Sequence, residues 1–317
     1  MSHEEVLIQQ LILGLSNGLI IALIALGYSI VYGIVEIVNF AHGDVFMLGA
    51  FFSISMLNLC IGEDAASLSL FKLLTLLLIT GLFTALLNFT VNKLAYKPLR
   101  NSQKLAPLVS AIGVSFILMN IGLFWGNLPI KPFAYGRSPA APKNYPDLIG
   151  STNLLNSENI IFSGKDLLIF TSVIPILLIL TFFIKKTKYG KAMRAVAQDP
   201  VAASIVGIDS ERVISISFII GGFLAGIASI IYSTYNETIS YQMGFKVGLD
   251  AFTAAVIGGI GSLPGAFIGS ILIGLTRALS DQYLESQWTN VIVFSLLIIV
   301  LIFFPSGMLG KQKRVKV

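Results

Sequence analysis

Eight stretches of this chain contain no Asp, Glu, Lys or Arg: 6 to 35, 45 to 62, 73 to 92, 105 to 130, 167 to 184, 213 to 236, 251 to 276 and 286 to 310. Each is near or above the roughly 17 to 25 apolar residues that carry a helix across a bilayer. Ionisable residues confined to narrow clusters between such runs describe an all-α, polytopic integral membrane protein, a single transmembrane domain over 1 to 317. A water-soluble chain that is 55% hydrophobic and 12% charged, with mean hydropathy +0.85, would lack the polar surface to cover its core. The start carries Glu4 and Glu5 and no Lys or Arg, so it lacks the basic n-region of a cleaved signal peptide. The first run is therefore expected to stay in the mature protein. Cys60 is the single cysteine, which excludes an internal disulfide and a CxxC site.

A formal charge of +5 would suit a nucleic-acid partner if it formed a patch on a soluble face. Here the positive residues flank the apolar runs instead, as Lys93, Lys97, Arg100 and Lys104, then Lys185, Lys186, Lys188, Lys191, Arg194 and Arg212, then Lys311, Lys313, Arg314 and Lys316. Lys and Arg beside membrane spans mark the cytoplasmic side, so this charge reports topology and calls for membrane lipid, not nucleic acid. The acidic start, the Glu63 and Asp64 loop and the polar loop from 131 to 166 then face outside. Eight simple crossings would return the basic tail to the outside, so one run must not cross once. The run from 251 to 276 is the best suited, because Gly258, Gly259, Gly261, Pro264 and Gly265 place a breaker cluster at its centre.

If that run enters from outside, turns within GGIGSLPG and returns, residues 281 to 285 are outside and the tail is cytoplasmic. Arms of about a dozen residues, ~18 Å each, would leave the turn partway through the ~30 Å core. Non-helical backbone at that depth survives only where protein or a water-filled cavity satisfies it. The other reading of the same glycines is close helix packing. A second irregular stretch, EIVNFAHGDVFMLG from 36 to 49, places Glu36, Asn39, His42 and Asp44 between the first two runs. These residues either connect two spans at the cytoplasmic surface or line an aqueous path. Discontinuous helices of this kind build many transport pathways, and Asn39, His42, Asp44, Gly258, Gly259 and Gly261 are the candidate pathway residues.

The only other histidine is His3, so a clustered His metal site is not available, and no catalytic set stands out. The sequence has no GxxxxGK[ST] phosphate loop, GxSxG elbow or HExxH motif. An enzyme is therefore not expected, nor a cofactor bound by this chain; if ATP drives it, ATP and Mg belong to partner chains. Within the segment from 185 to 212, Asp199 followed by Pro200 reads as an N-cap with proline at N1, and Gly207 suits the C′ position. A short stopped helix over 200 to 206 would expose Val201, Ile205 and Val206 unless a partner protein or the lipid headgroups cover them.

Several of these segments resemble a known family. GYSIVYGIVEIVNFAHGDVFMLGAF at 27 to 51, LAYKPLR at 94 to 100, LVSAIGVSFILMN at 108 to 120, YGKAMRAVAQDPVAASIVGID at 189 to 209 and AFTAAVIGGIGSLPGAFIGSILIG at 251 to 274 are similar to the LivH-type permease of branched-chain amino-acid ABC importers. The resemblance runs over almost the whole chain. It implies a permease subunit in a bacterial inner membrane that moves branched-chain and other neutral amino acids inward. It also implies a LivM-like second permease, two cytoplasmic ATPase subunits and an external substrate-binding protein. By the same resemblance 189 to 209 is the ATPase-docking loop, with Asp199, Pro200, Val201, Ala202, Ala203, Ile205 and Gly207 as its candidate contacts. The Leu-Pro pair common in ABC coupling motifs is replaced by Ile208 and Asp209. A related permease for urea or short amides, or an ion-coupled carrier using Glu36 or Asp44, stands as the alternative.

Overall fold

The computed structural model describes residues 2 to 60, 70 to 100, 102 to 103, 105 to 125, 139 to 150, 152 to 155, 157 and 159 to 310. Glu63, Asp64, Lys104 and the basic tail from 311 to 317, all used in the topology argument, lie outside these residues. Eleven α-helices are described: α1 His3–Val35, α2 His42–Cys60, α3 Leu70–Val91, α4 Leu105–Trp125, α5 Gly164–Lys186, α6 Lys188–Gln198, α7 Pro200–Ile205, α8 Ser210–Asn236, α9 Met243–Gly258, α10 Leu263–Tyr283 and α11 Thr289–Phe303. Six of the described helical stretches are long and apolar enough to cross a membrane: α1, α3 with its extension to Leu99, α4, α5, α8 and α10. Among the described residues each charge-free run contains one α-helix or the greater part of one, except the run from 251 to 276, which is divided between α9 and α10.

Helix α1 is the axis of the bundle. Ser2 and Glu5 form a capping box at its start, and Glu36 ends it in a left-handed conformation with φ 56°. Residues 18 to 31 are buried without interruption, as expected of a helix that is apolar on every side and enclosed by others. α8, α9 and α10 pack around it, and small residues set the spacing. A Cβ on Gly274 of α10 would lie 2.5 Å from the Cα of Gly18, so the two backbones touch where a side chain would part them.

Two ends of the bundle can be told apart. At the first, Ser16 in the first half of α1 donates to Asp166 in the first turn of α5 at 2.6 Å, and Gln10 meets Gln282 at the end of α10. Lys165 joins the same end through an ion pair with Asp147 at 3.3 Å and another with Glu237, just past α8. A two-residue antiparallel bridge, β1 Lys143–Asn144 with β2 Thr238–Ile239, closes it. The opposite end gathers the finish of α1, the turn between α9 and α10, and the start of α8, where Glu211 pairs with Arg100 and Lys97.

The α9–α10 hairpin differs from the short-armed loop that breaker spacing suggested. Its arms are 16 and 21 residues long, or ~24 and ~31 Å. The helices extend beyond the charge-free run because Asp250 and Arg277, at its edges, form an ion pair at 2.5 Å and are tolerated inside helix. The turn therefore sits beside Gly33, near the end of α1, and not halfway along the bundle. Likewise the irregularity between the first two runs is confined to 36 to 41, because α2 takes up helix at His42 and carries it through Gly49.

Candidate functional site

Asn39, His42 and Asp44 are all buried inside the bundle, each with no more than 2% of its surface exposed, whereas Glu36 stays exposed. Asn39 is held from two sides. Its carbonyl accepts from the Tyr96 hydroxyl at 2.8 Å, and its amide donates to Asn88 Oδ1 at 3.2 Å. Asn88 donates in turn to the Phe218 carbonyl of α8 at 2.7 Å. Tyr96 ends a turn of π-helix, Asn92–Tyr96, that follows α3. Such a wide turn rotates later side chains relative to a continuous helix, and here the tyrosine is buried against Phe218 with ring centroids 5.5 Å apart.

The polar contacts continue toward the opposite end. Asn92 donates to Ser215 at 3.3 Å, Arg100 donates to Asn92 at 3.3 Å, and Arg100 pairs with Glu211 in the first turn of α8. The non-helical segment from 36 to 41 is thereby linked to α3 and, through Asn88, to α8, the helix that follows α7.

His42 opens α2 with its ring edge-on to Tyr28, centroids 4.7 Å apart, and it packs where a Cβ on Gly27 would lie 2.5 Å from Nε2. Asp44 accepts from the Ser115 hydroxyl of α4 at 2.5 Å through Oδ2. Its Oδ1 is buried with no hydrogen-bond partner. That oxygen faces Gly244 of α9, where a Cβ would lie 2.8 Å away.

Gly258, Gly259 and Gly261 lie elsewhere. Met308 donates to the Ile257 carbonyl and Leu309 to the Gly258 carbonyl, both at 2.9 Å, so the segment after α11 is laid across the turn. Gly259 has φ 103° and its Cβ would sit 2.3 Å from the Gly310 nitrogen, which leaves no room for a side chain. The six candidate pathway residues thus form two separate groups.

The candidate docking residues form α7. Asp199 Oδ1 accepts from the backbone N–H of Val201 at 2.8 Å and of Ala202 at 3.0 Å, and Gly207 stops the helix with φ 82°. Val201, Ile205 and Val206 are 69%, 81% and 74% exposed. Asp199, Pro200, Ala202 and Gly207 are exposed as well, while Ala203 turns inward and is buried. The neighbouring helix α6 buries Met193 and Val196 and holds its basic residues outward. It therefore anchors α7 against the end of the bundle.

The match to known proteins is consistent with this arrangement. Residues 10 to 302 match the family model described as branched-chain amino acid transport system / permease component. The high-affinity branched-chain amino acid transport system permease protein BraD of Pseudomonas aeruginosa is 36% identical over 98% of each chain. LivH of Escherichia coli K12, with the same description, is 37% identical over 98% of this chain and 97% of its own. The probable branched-chain amino acid transport permease protein LivH of Methanocaldococcus jannaschii is 26% identical over 92% of this chain and 89% of its own.

Proposed function

The chain belongs to the family of permease components of branched-chain amino acid transport systems, and from that premise we propose that it forms one transmembrane half of an ATP-driven importer. The importer carries branched-chain and other neutral amino acids inward across a bacterial inner membrane. A LivM-like permease supplies the other half. An external binding protein delivers the substrate, and two cytoplasmic ATPase subunits bind ATP and Mg. The end bearing Arg100, Lys185, Lys186, Lys188, Lys191, Arg194 and Arg212 is cytoplasmic by the positive-inside rule, which puts the start of α1 outside and the tail inside.

The observation that carries this reading is α7: a capped helix at the basic end with Val201, Ile205 and Val206 turned out to water. Apolar side chains on an otherwise charged cytoplasmic loop call for a protein partner. Movement of α7 reaches the bundle through α6 and the start of α8; Glu211, Arg100 and Asn92 tie that start to the helical stretch carrying Asn88, which bonds to Asn39. Replacing Ile205 by Asp tests the docking role, because a carboxylate in an apolar contact loses water without gaining a partner. The ATPases should no longer copurify with the inserted permease. Normal recovery of the complex with normal transport would instead assign this helix to the lipid surface.

A further inference from the structure

A groove of about 610 Å³ runs between α4 and α9, with Tyr28 and Phe40 among the residues of its wall. Its lining is mostly apolar and aromatic: Phe252 lies 5.9 Å from Phe40 and 6.2 Å from Tyr28 between ring centroids. Two of its wall residues, Ser115 and Gly244, are the ones that meet the buried carboxylate of Asp44. Oδ2 takes the serine hydroxyl, and Oδ1 has no partner and faces the glycine. Gly244 places no side chain between the carboxylate and the groove. Lys246 lies on the same α9 wall.

We infer that this groove is the passage site for a zwitterionic amino acid, with its ammonium on Asp44, its carboxylate toward Lys246 and its apolar side chain against Phe40 and Phe252. The inference rests on the amino-acid import reading and adds to it the residues that touch the cargo. An unpaired acceptor on a buried carboxylate is costly, and an ammonium offers three donors that satisfy it. Asp44 is covered while α2, α4 and α9 are closed together. Separation of Ser115 from Asp44 uncovers a site of the right charge beside an apolar wall. The single carboxylate and the aromatic surface together select a neutral amino acid over a sugar or a metal ion. A sugar has no cation to pair with Asp44, and a hard metal ion needs more oxygen ligands than one carboxylate and the Ser115 hydroxyl offer.

The test uses the complete importer in proteoliposomes with saturating leucine-loaded binding protein, reading radiolabelled leucine imported per ATP hydrolysed. Asp44→Asn should lower this ratio by at least about tenfold, the loss of one charged hydrogen bond, and Asp44→Glu should retain part of it. If Asp44→Asn does not assemble, Lys246→Gln at its exposed position decides, with a loss of several-fold expected. A ratio equal to wild type in whichever of these two variants assembles overturns the inference. So does a fall in complex recovery with the ratio unchanged, because the groove is then only a contact with the second permease. Failure of the wild-type importer to carry leucine at all would overturn the amino-acid reading itself, which keeps the two failures distinct.

Discussion

Asn88→Leu removes the residue that ties three separate parts of the bundle together. Asn88 is fully buried, donates to the Phe218 carbonyl at 2.7 Å and accepts from Asn39 at 3.2 Å. Hydrogen bonds between membrane helices average ~0.6 kcal/mol, so the two contribute about 1 kcal/mol. The larger effect is on Asn39, whose amide keeps no acceptor at this contact and carries a desolvation cost of ~1–3 kcal/mol. Leucine offers neither a donor to the Phe218 carbonyl nor an acceptor to Asn39. The expected total is roughly 2–4 kcal/mol of lost stability. Reversible unfolding of the purified protein in mixed micelles, titrated with denaturing detergent, measures it. Asn120→Leu is the control, because Asn120 is exposed and, among the described residues, donates to the Phe116 carbonyl of its own helix, and it should shift stability by less than ~0.5 kcal/mol. Equal stabilities for the two variants would refute the idea that the Asn39–Asn88 contact holds the broken segment in place.

Gly259→Val should lower abundance and transport together, as measured by fluorescence-detected gel filtration beside uptake, because the added side chain meets the Gly310 backbone. Loss of transport at normal abundance would instead support a pathway role for that turn. For topology, single cysteines at Ser286 and Lys188, placed in a Cys60→Ser background, should react differently with an impermeant thiol reagent in intact cells. Both positions are exposed at opposite ends of the bundle, so 286 should label at once and 188 only after permeabilisation. The reverse pattern would invert the orientation.

Much of the fold is legible in the sequence because exclusion of charge from bilayer-length runs is a strong physical constraint. The cap and stop of α7 were equally plain, since Asp199, Pro200 and Gly207 each have a distinct backbone chemistry. What escaped reading depends on contacts between distant segments. α6 lies in a segment rich in Lys and Arg, yet Met193 and Val196, three apart, mark a buried face. The π-helix at Asn92–Tyr96 has no sequence signal of its own, and without it the link from Tyr96 to Asn39 is invisible. The breaker cluster at 258 to 265 does make a turn, but local chemistry does not reveal that residues 307 to 310 cover it. At the candidate site, Asp44 stands out as a charge near an apolar run, whereas Ser115, Gly244 and Lys246 do not. The spacing of Gly244 and Gly248, a small-xxx-small pair, was the signal that α9 approaches another backbone closely, and its neighbour is Gly43.

The energy source decides the central claim. Vesicles assembled with this chain, a second permease, the ATPase subunits, ATP and the external binding protein can be made with each component left out in turn. Uptake of radiolabelled leucine should require every component and should continue when an uncoupler collapses the proton gradient. Uptake by this chain alone, driven by an imposed pH gradient without ATP, would contradict the assignment as an ATP-driven permease subunit.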